Sequence, residues 1–330
     1  FPGGKGVESF TRNGVCGRPN SRGAPGAGFL SPNCPPWLGG RRRPAAVRNN
    51  WARELRELGH TIRMIAPQFV KPNVKGDKHD AHDAEAICEA ASRPSMRYVP
   101  VKSAEQQAVQ SVHRVRSRLV RARTALCNEV RGLLGEFGLI ATRRGRAATM
   151  ALLETVTATE PAPLPAPMGE LLRELKDELQ TLEARIARLE RQIQAHVRGD
   201  ARIQRLLAVE GIGPISASAV AASAGDARQF RTGRQFAAWL GLVPRQHSTG
   251  GQQRLGNISK RGDTYLRTLV IHGGPCSRGV VAPTRPMPAS RWLQGLLQRR
   301  PANVVAVAMA NKNARILWAL LSRETCYRPG

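Results

Sequence analysis

Seven apolar side chains, Leu171, Leu175, Leu179, Leu182, Ile186, Leu189 and Ile193, recur at spacings of four, four, three, four, three and four residues, with charged residues on the other positions. The pattern predicts a long helix with a heptad seam interrupted by one four-residue stutter. Such a seam serves either self-association as a coiled coil or a hairpin with a second long helix of the same chain. A candidate for that second helix runs from about Ala104 to Phe137, with Arg114, Arg116, Arg118, Arg121 and Arg123 spread over several faces. The Pro/Ala/Thr stretch from Thr155 to Pro167 reads as a linker between the two.

Upstream, Trp51, Leu55 and Leu58 mark a helix stopped by Gly59, and Thr61-Ile62-Arg63-Met64-Ile65 reads as a strand. Helix, glycine and strand in succession are an α/β signature. A further helix opens at Asp80, Pro94 breaks it, and Arg97 to Val101 is again strand-like. Residues 1 to about 48, rich in Gly, Pro and Arg and without periodicity, are expected to be disordered.

The charge narrows the class of partner. Lys and Arg number 51 against 24 Asp and Glu, a formal net charge of +27 over 330 residues, and the basic positions recur along the whole chain. Distributed cations match a polyphosphate backbone, so nucleic acid is the expected partner. No stretch reads as a membrane span or as an h-region, so no membrane is expected and a cytoplasmic, nucleoid-associated bacterial protein is. Six cysteines without a Cys-x-x-Cys pair argue against zinc and against a disulfide scaffold.

Three places carry candidate chemistry. Asp80 and Asp83 share one helical face three residues apart, so both can offer oxygens to one Mg²⁺; alternatively Asp80 is an N-cap and Asp83 a first-turn acid that complements the helix dipole. Gly211-Ile212-Gly213-Pro214 resembles a helix-hairpin-helix turn whose amides hold a phosphate, though Gly-x-Gly also permits tight helix packing. Ser248, in the loop Gln246-His247-Ser248-Thr249-Gly250-Gly251 and flanked by Arg245, Arg254, Lys260 and Arg261, is suited to receive or attack a phosphate, against the plainer reading of a polar turn.

Taken in order, Ile65-Ala66-Pro67, Lys78-x-Asp80-x-x-Asp83-Ala84, Gly211-Ile212-Gly213-Pro214, Gly241-Leu242-Val243-Pro244-Arg245 and Ser248-Thr249-Gly250-Gly251 resemble the DEDD-type insertion-sequence transposases, the bridge-RNA-guided recombinase family. The resemblance spans about Trp51 to His272 and again Arg291 to Arg328, with Asn303 through Leu321 family-like. It implies an α/β RuvC-like, RNase H-type nuclease domain, here truncated, with a coiled-coil insertion and a mainly α C-terminal transposase domain. The corresponding divisions are 1–48, 49–150, 151–200 and 201–330. It further implies Mg²⁺ held by four acids, two of which fall on Asp80 and Asp83, and a nucleophilic serine that falls on Ser248, with Ser259 second. DNA, a guide RNA and a second copy of the chain bound through the coiled coil are the implied partners.

The departure from the family is at the front. The strand bearing its first Asp, and a Glu-Ala-Cys-Gly-Ser-like segment bearing its Glu, have no counterpart here, whereas a shifted reading of Arg42 to Val47 can yield that segment. Residues 1–48 are therefore expected to be translated out of frame, and the Pro/Arg/Ser-rich Gly274 to Ser290 is read as a second slip, leaving a degenerate copy. Two functions follow: a DNA transposase that cuts and rejoins strands, or a non-catalytic nucleic-acid-binding remnant akin to a junction binder.

Overall fold

The computed structural model describes residues 9–11, 15–18, 48–77, 79–141, 143, 145–159, 164–273 and 291–327. The chain forms two compact units, Phe1–Glu105 and Gln106–Gly330.

The first unit is a four-stranded antiparallel sheet in the order β1 (Ser9–Thr11), β2 (Val15–Arg18), β3 (Thr61–Ile65) and β4 (Tyr98–Val99). Strands β1 and β2 correct the expectation of disorder for residues 9–11 and 15–18 of that segment. The other residues of that segment before Arg48, and the stretch 274–290 expected to mark a frame slip, lie outside the described residues. Helix α1 (Arg48–Glu57) packs Ala52 and Leu55 against Ile62 and Met64 of β3. It ends as expected at Gly59, which takes φ +87° while the amides of Gly59 and His60 bond back to Arg56 and Leu55. After a short helix α2 (Pro67–Val70), α3 (Asp80–Ser92) buries Ala86, Ile87 and Ala90.

The second unit is mostly helical. Helix α4 (Ala104–Glu136) matches the expected basic helix to within a residue, and α5 (Arg146–Ala158) is one that the periodicity missed. Helix α6 (Ala166–Gly199) buries Leu172, Leu179, Leu182 and Ile186 against Leu119, Leu126 and Val130 of α4 and Leu153 of α5. The buried seam starts at Leu172, whereas Leu171 is exposed. With Leu172 as its first member the spacing becomes three, four, three, four, three, four, and the stutter disappears. The seam is thus occupied within the chain, which corrects the expected self-association through it: the hairpin alternative is the one taken. The expected linker is also corrected, since α5 reaches Ala158, α6 begins at Ala166 and Leu164 is buried in the same core. Leu182→Lys should accordingly unfold this helical layer, lowering stability by about 3 kcal/mol or more without changing the mass in solution, as read by urea unfolding and light scattering.

The C-terminal core is built by α7 (Ala201–Leu206), α8 (Pro214–Ala224), α9 (Gly233–Trp239), α10 (Thr264–His272) and α12 (Ala302–Arg323), with α11 (Arg291–Leu297) beside the start of α12. Among the described residues, α12 is a helix long and apolar enough to cross a membrane, although the sequence reading found no such span. Its Ala310, Ala314, Leu317 and Leu320 lie in the core with Phe236 and Leu266. A two-stranded antiparallel hairpin, β5 (Pro244–Gln246) and β6 (Leu255–Ile258), joins α9 to α10.

Inside this unit His113 of α4 is buried, with Nδ1 3.1 Å from Tyr265 Oη and Nε2 3.2 Å from Ser218 Oγ. Burial, aided by the charges of Arg116 and His196, lowers its pKa to about 4. The imidazole therefore refuses a proton that the unfolded chain accepts below about 6.5. Stability attributable to this site is intact above pH 6.5 and falls as the pH drops from 6.5 toward 4, by as much as ~3 kcal/mol. In urea titrations at pH 7 and pH 5, His113→Gln should lose less stability between the two than the parent chain. Burial likewise pushes the Cys127 thiol up.

Candidate functional site

The carboxylate pair sits on the first turn of α3. The N-cap is His79, whose Nδ1 accepts from the Ala81 amide at 3.1 Å, so Asp80 is not the cap: it and Asp83 are both exposed first-turn acids. His79 and His82 lie with ring centroids 5.4 Å apart, and His82 Nδ1 is 3.3 Å from the Asp77 carbonyl. Two carboxylates on one face offer the hard oxygens that Mg²⁺ takes, and Mg²⁺ beside phosphate is commonly held by one or two carboxylates with water and phosphate oxygens completing the shell. The pair fits in kind. Among the described residues no cluster of three or more His, Cys, Asp or Glu side chains is placed to hold a metal.

The serine lies in the second unit, on the β5–β6 hairpin. Gly250 and Gly251 take φ +56° and +77°, and Thr249 pairs with Gln252, so the tip is a tight two-residue turn that needs left-handed conformations at both central positions. Ser248 is exposed immediately before it, and its Oγ accepts from Gln246 Nε2 at 2.9 Å. Arg245 and Arg254 project from the same hairpin, and the exposed Lys260 and Arg261 follow it directly. Ser259 is half-buried, its amide bonded to the Val243 carbonyl. The structure thus gathers Ser248 and the four cations on one hairpin and its exit, while Asp80 and Asp83 belong to the other compact unit.

Gly211 and Gly213 lie in the turn from α7 to α8. Gly211 takes φ +82°, and a Cβ on Gly273 of the α10 terminus would come within 2.6 Å of the Gly211 carbonyl oxygen. Asn313 Nδ2 donates to the neighbouring Glu210 carbonyl at 2.9 Å. The α10 terminus thus packs closely on Gly211, while a Cβ on Gly213 would meet nothing within 4 Å.

The description "Transposase IS116/IS110/IS902 family" matches residues 203–278, which include the hairpin, and a DEDD-type transposase domain of IS110 elements matches residues 47–138, which include α3. The chain is 92% identical over 282 residues to a probable family 20 transposase of Pseudomonas aeruginosa, covering 85% of this chain and 82% of that protein. It belongs to the IS110/IS116 family of transposases. The transposase is also 44% identical to the transposase for insertion sequence element IS1111A of Coxiella burnetii, over 86% of this chain and 77% of that one. To the transposase for IS1328 of Yersinia enterocolitica it is 41% identical, over 91% and 87%. The motif-based expectation of a DEDD-type insertion-sequence transposase holds at the level of the family.

Two features escaped the reading of the sequence. Gly262 crosses the end of α9 so closely that a Cβ there would lie 2.1 Å from the Trp239 carbonyl oxygen, and Arg267 is buried beneath that crossing. Asp263, which caps α10 by accepting from the amides of Tyr265 and Leu266, had a readable signal, an Asp one residue before an apolar helical run.

Proposed function

We propose that this transposase cuts and rejoins DNA strands through a covalent intermediate on Ser248. The Oγ–P bond forms as the phosphodiester bond to one deoxyribose oxygen breaks; the Ser248 proton passes to solvent and the departing sugar oxygen takes one up. A hydroxyl of a second strand then displaces Ser248, so the rejoining step regenerates the serine. Arg245 and Lys260 offset the charge that builds on the phosphoryl oxygens, while Arg254 and Arg261 hold the flanking backbone. Asp80 and Asp83 are the residues that would hold a divalent cation, whose chemistry is to polarise a phosphate. A structured guide RNA is the second polyanion assigned to the basic surface. Residues 1–48 are read as out of frame, which the nucleotide sequence of the locus tests.

The observation that carries the reading is an exposed serine ahead of a two-glycine turn, with four cations between residues 245 and 261, inside the segment matched by the transposase family. The test is to incubate the chain with duplex carrying insertion-sequence ends, with and without Mg²⁺, and to separate the products under denaturing conditions. A protein–DNA adduct that survives denaturant and requires the divalent cation is expected. Binding without any adduct or cleavage would leave the non-catalytic remnant as the function instead.

A further inference from the structure

We infer that Arg267 is a positioning residue for DNA phosphate, holding the Lys260–Arg261 turn in the shape that engages the backbone. The inference rests on the reading of that turn as a phosphate contact and adds the part that shapes it.

Only 8% of Arg267 is exposed, although it carries a full charge. Its Nη1 donates to the Gly262 carbonyl and its Nη2 to Thr264 Oγ1, each at 3.1 Å. Both acceptors are neutral oxygens, a poor return for a desolvated guanidinium if core stability were its role. The acceptors lie on either side of Asp263, so one planar fork grips the chain at two points at the exit of the basic turn. A Cβ on Gly241 would stand 3.1 Å from Nη1 and 2.8 Å from the Gly262 amide nitrogen, which leaves the turn no room to shift toward α9.

The rest of the turn is held as firmly. The Ser259 amide donates to Val243 and the Lys260 amide to Gly241, and Lys260 is kept at φ +54°, a conformation that a lysine seldom adopts. Asp263 fixes the far side by capping α10. What this clamp presents to solvent is Lys260 and Arg261, two adjacent cations on an immobilised backbone. Pre-ordering them removes part of the entropy that a flexible basic loop loses on binding phosphate.

The salt dependence of DNA affinity tests this, because each phosphate contact contributes about 0.9 to the slope of log affinity against log salt. Lys260→Ala with Arg261→Ala should lower the slope by about two contacts. Arg267→Lys, which keeps the charge and loses the fork, should lower it by a similar amount, and combining all three should lower it no further. Thermal unfolding serves as the folding control; if Arg267→Lys fails to fold, Thr264→Val removes one acceptor of the fork at an exposed position and should produce part of the same loss. An unchanged slope in a folded Arg267→Lys, or losses that simply add in the combined variant, would overturn the inference. If the Lys260 and Arg261 substitutions leave the slope intact, the turn does not contact phosphate, and the underlying reading fails along with this one.

Discussion

Ser248→Ala is expected to abolish the denaturant-stable DNA adduct while leaving DNA affinity within about twofold, because it removes the attacking oxygen and no cation. The hydroxyl is exposed, and its one hydrogen bond among the described residues comes from the exposed Gln246 side chain, so the alanine should fold as the parent does. Asp80→Asn and Asp83→Asn should also suppress the adduct, but by weakening the hold on a divalent cation, so raising Mg²⁺ should recover part of the loss in the aspartate variants and none in Ser248→Ala. Ser259→Ala is the internal control. Its side chain is half-buried and its amide is tied to Val243. An adduct that persists in Ser248→Ala and disappears in Ser259→Ala would move the nucleophile to that position.

Salt should dominate binding. With a net charge of +27 and about six to ten phosphate contacts, affinity for duplex DNA or structured RNA should fall roughly 10³ to 10⁵-fold between 50 and 200 mM salt. Fluorescence anisotropy across that range measures it. The effect is large because each contact releases condensed counterions, and the slope counts contacts whatever the base sequence. A flat response would mean that the basic side chains do not meet phosphate. The slope also separates general attraction from the organised turn, since exposed arginines on α4 should each change it by about one contact or less, whereas Arg267, which reaches no phosphate itself, should change it by about two.

The local signals were readable wherever one residue and its near neighbours decide the outcome. Gly59 ends α1 because the left-handed position after a helix favours glycine, and Gly250-Gly251 makes a tight turn for the same reason. Asp80 and Asp83 stand together at the head of a helix because three-residue spacing places them on one face. The cap there was less legible: His79 performs it through Nδ1, a role that propensity assigns to Ser, Thr, Asp or Asn. The strands at residues 9–11 and 15–18 were hidden in a Gly- and Arg-rich stretch, since short strands acquire their stability from the edge that receives them, here β3.

By itself the sequence determined the charge that demands a polyanion, the two long helices and the heptad period of the second, the paired aspartates, and the serine before a two-glycine turn with cations around it. These follow from composition and from periodicities that every helix and turn obeys. Only the tertiary structure decided which member of Leu171-Leu172 opens the seam, that α4 and α5 of the same chain fill it, that His113 is held neutral, and that Arg267 lies beneath the basic turn. Burial depends on neighbours far away along the chain. Arg267 and the exposed Arg261 are the same residue type six positions apart, and what separates them is the crossing of the backbone at Gly241 and Gly262, where two segments approach too closely to admit a single Cβ.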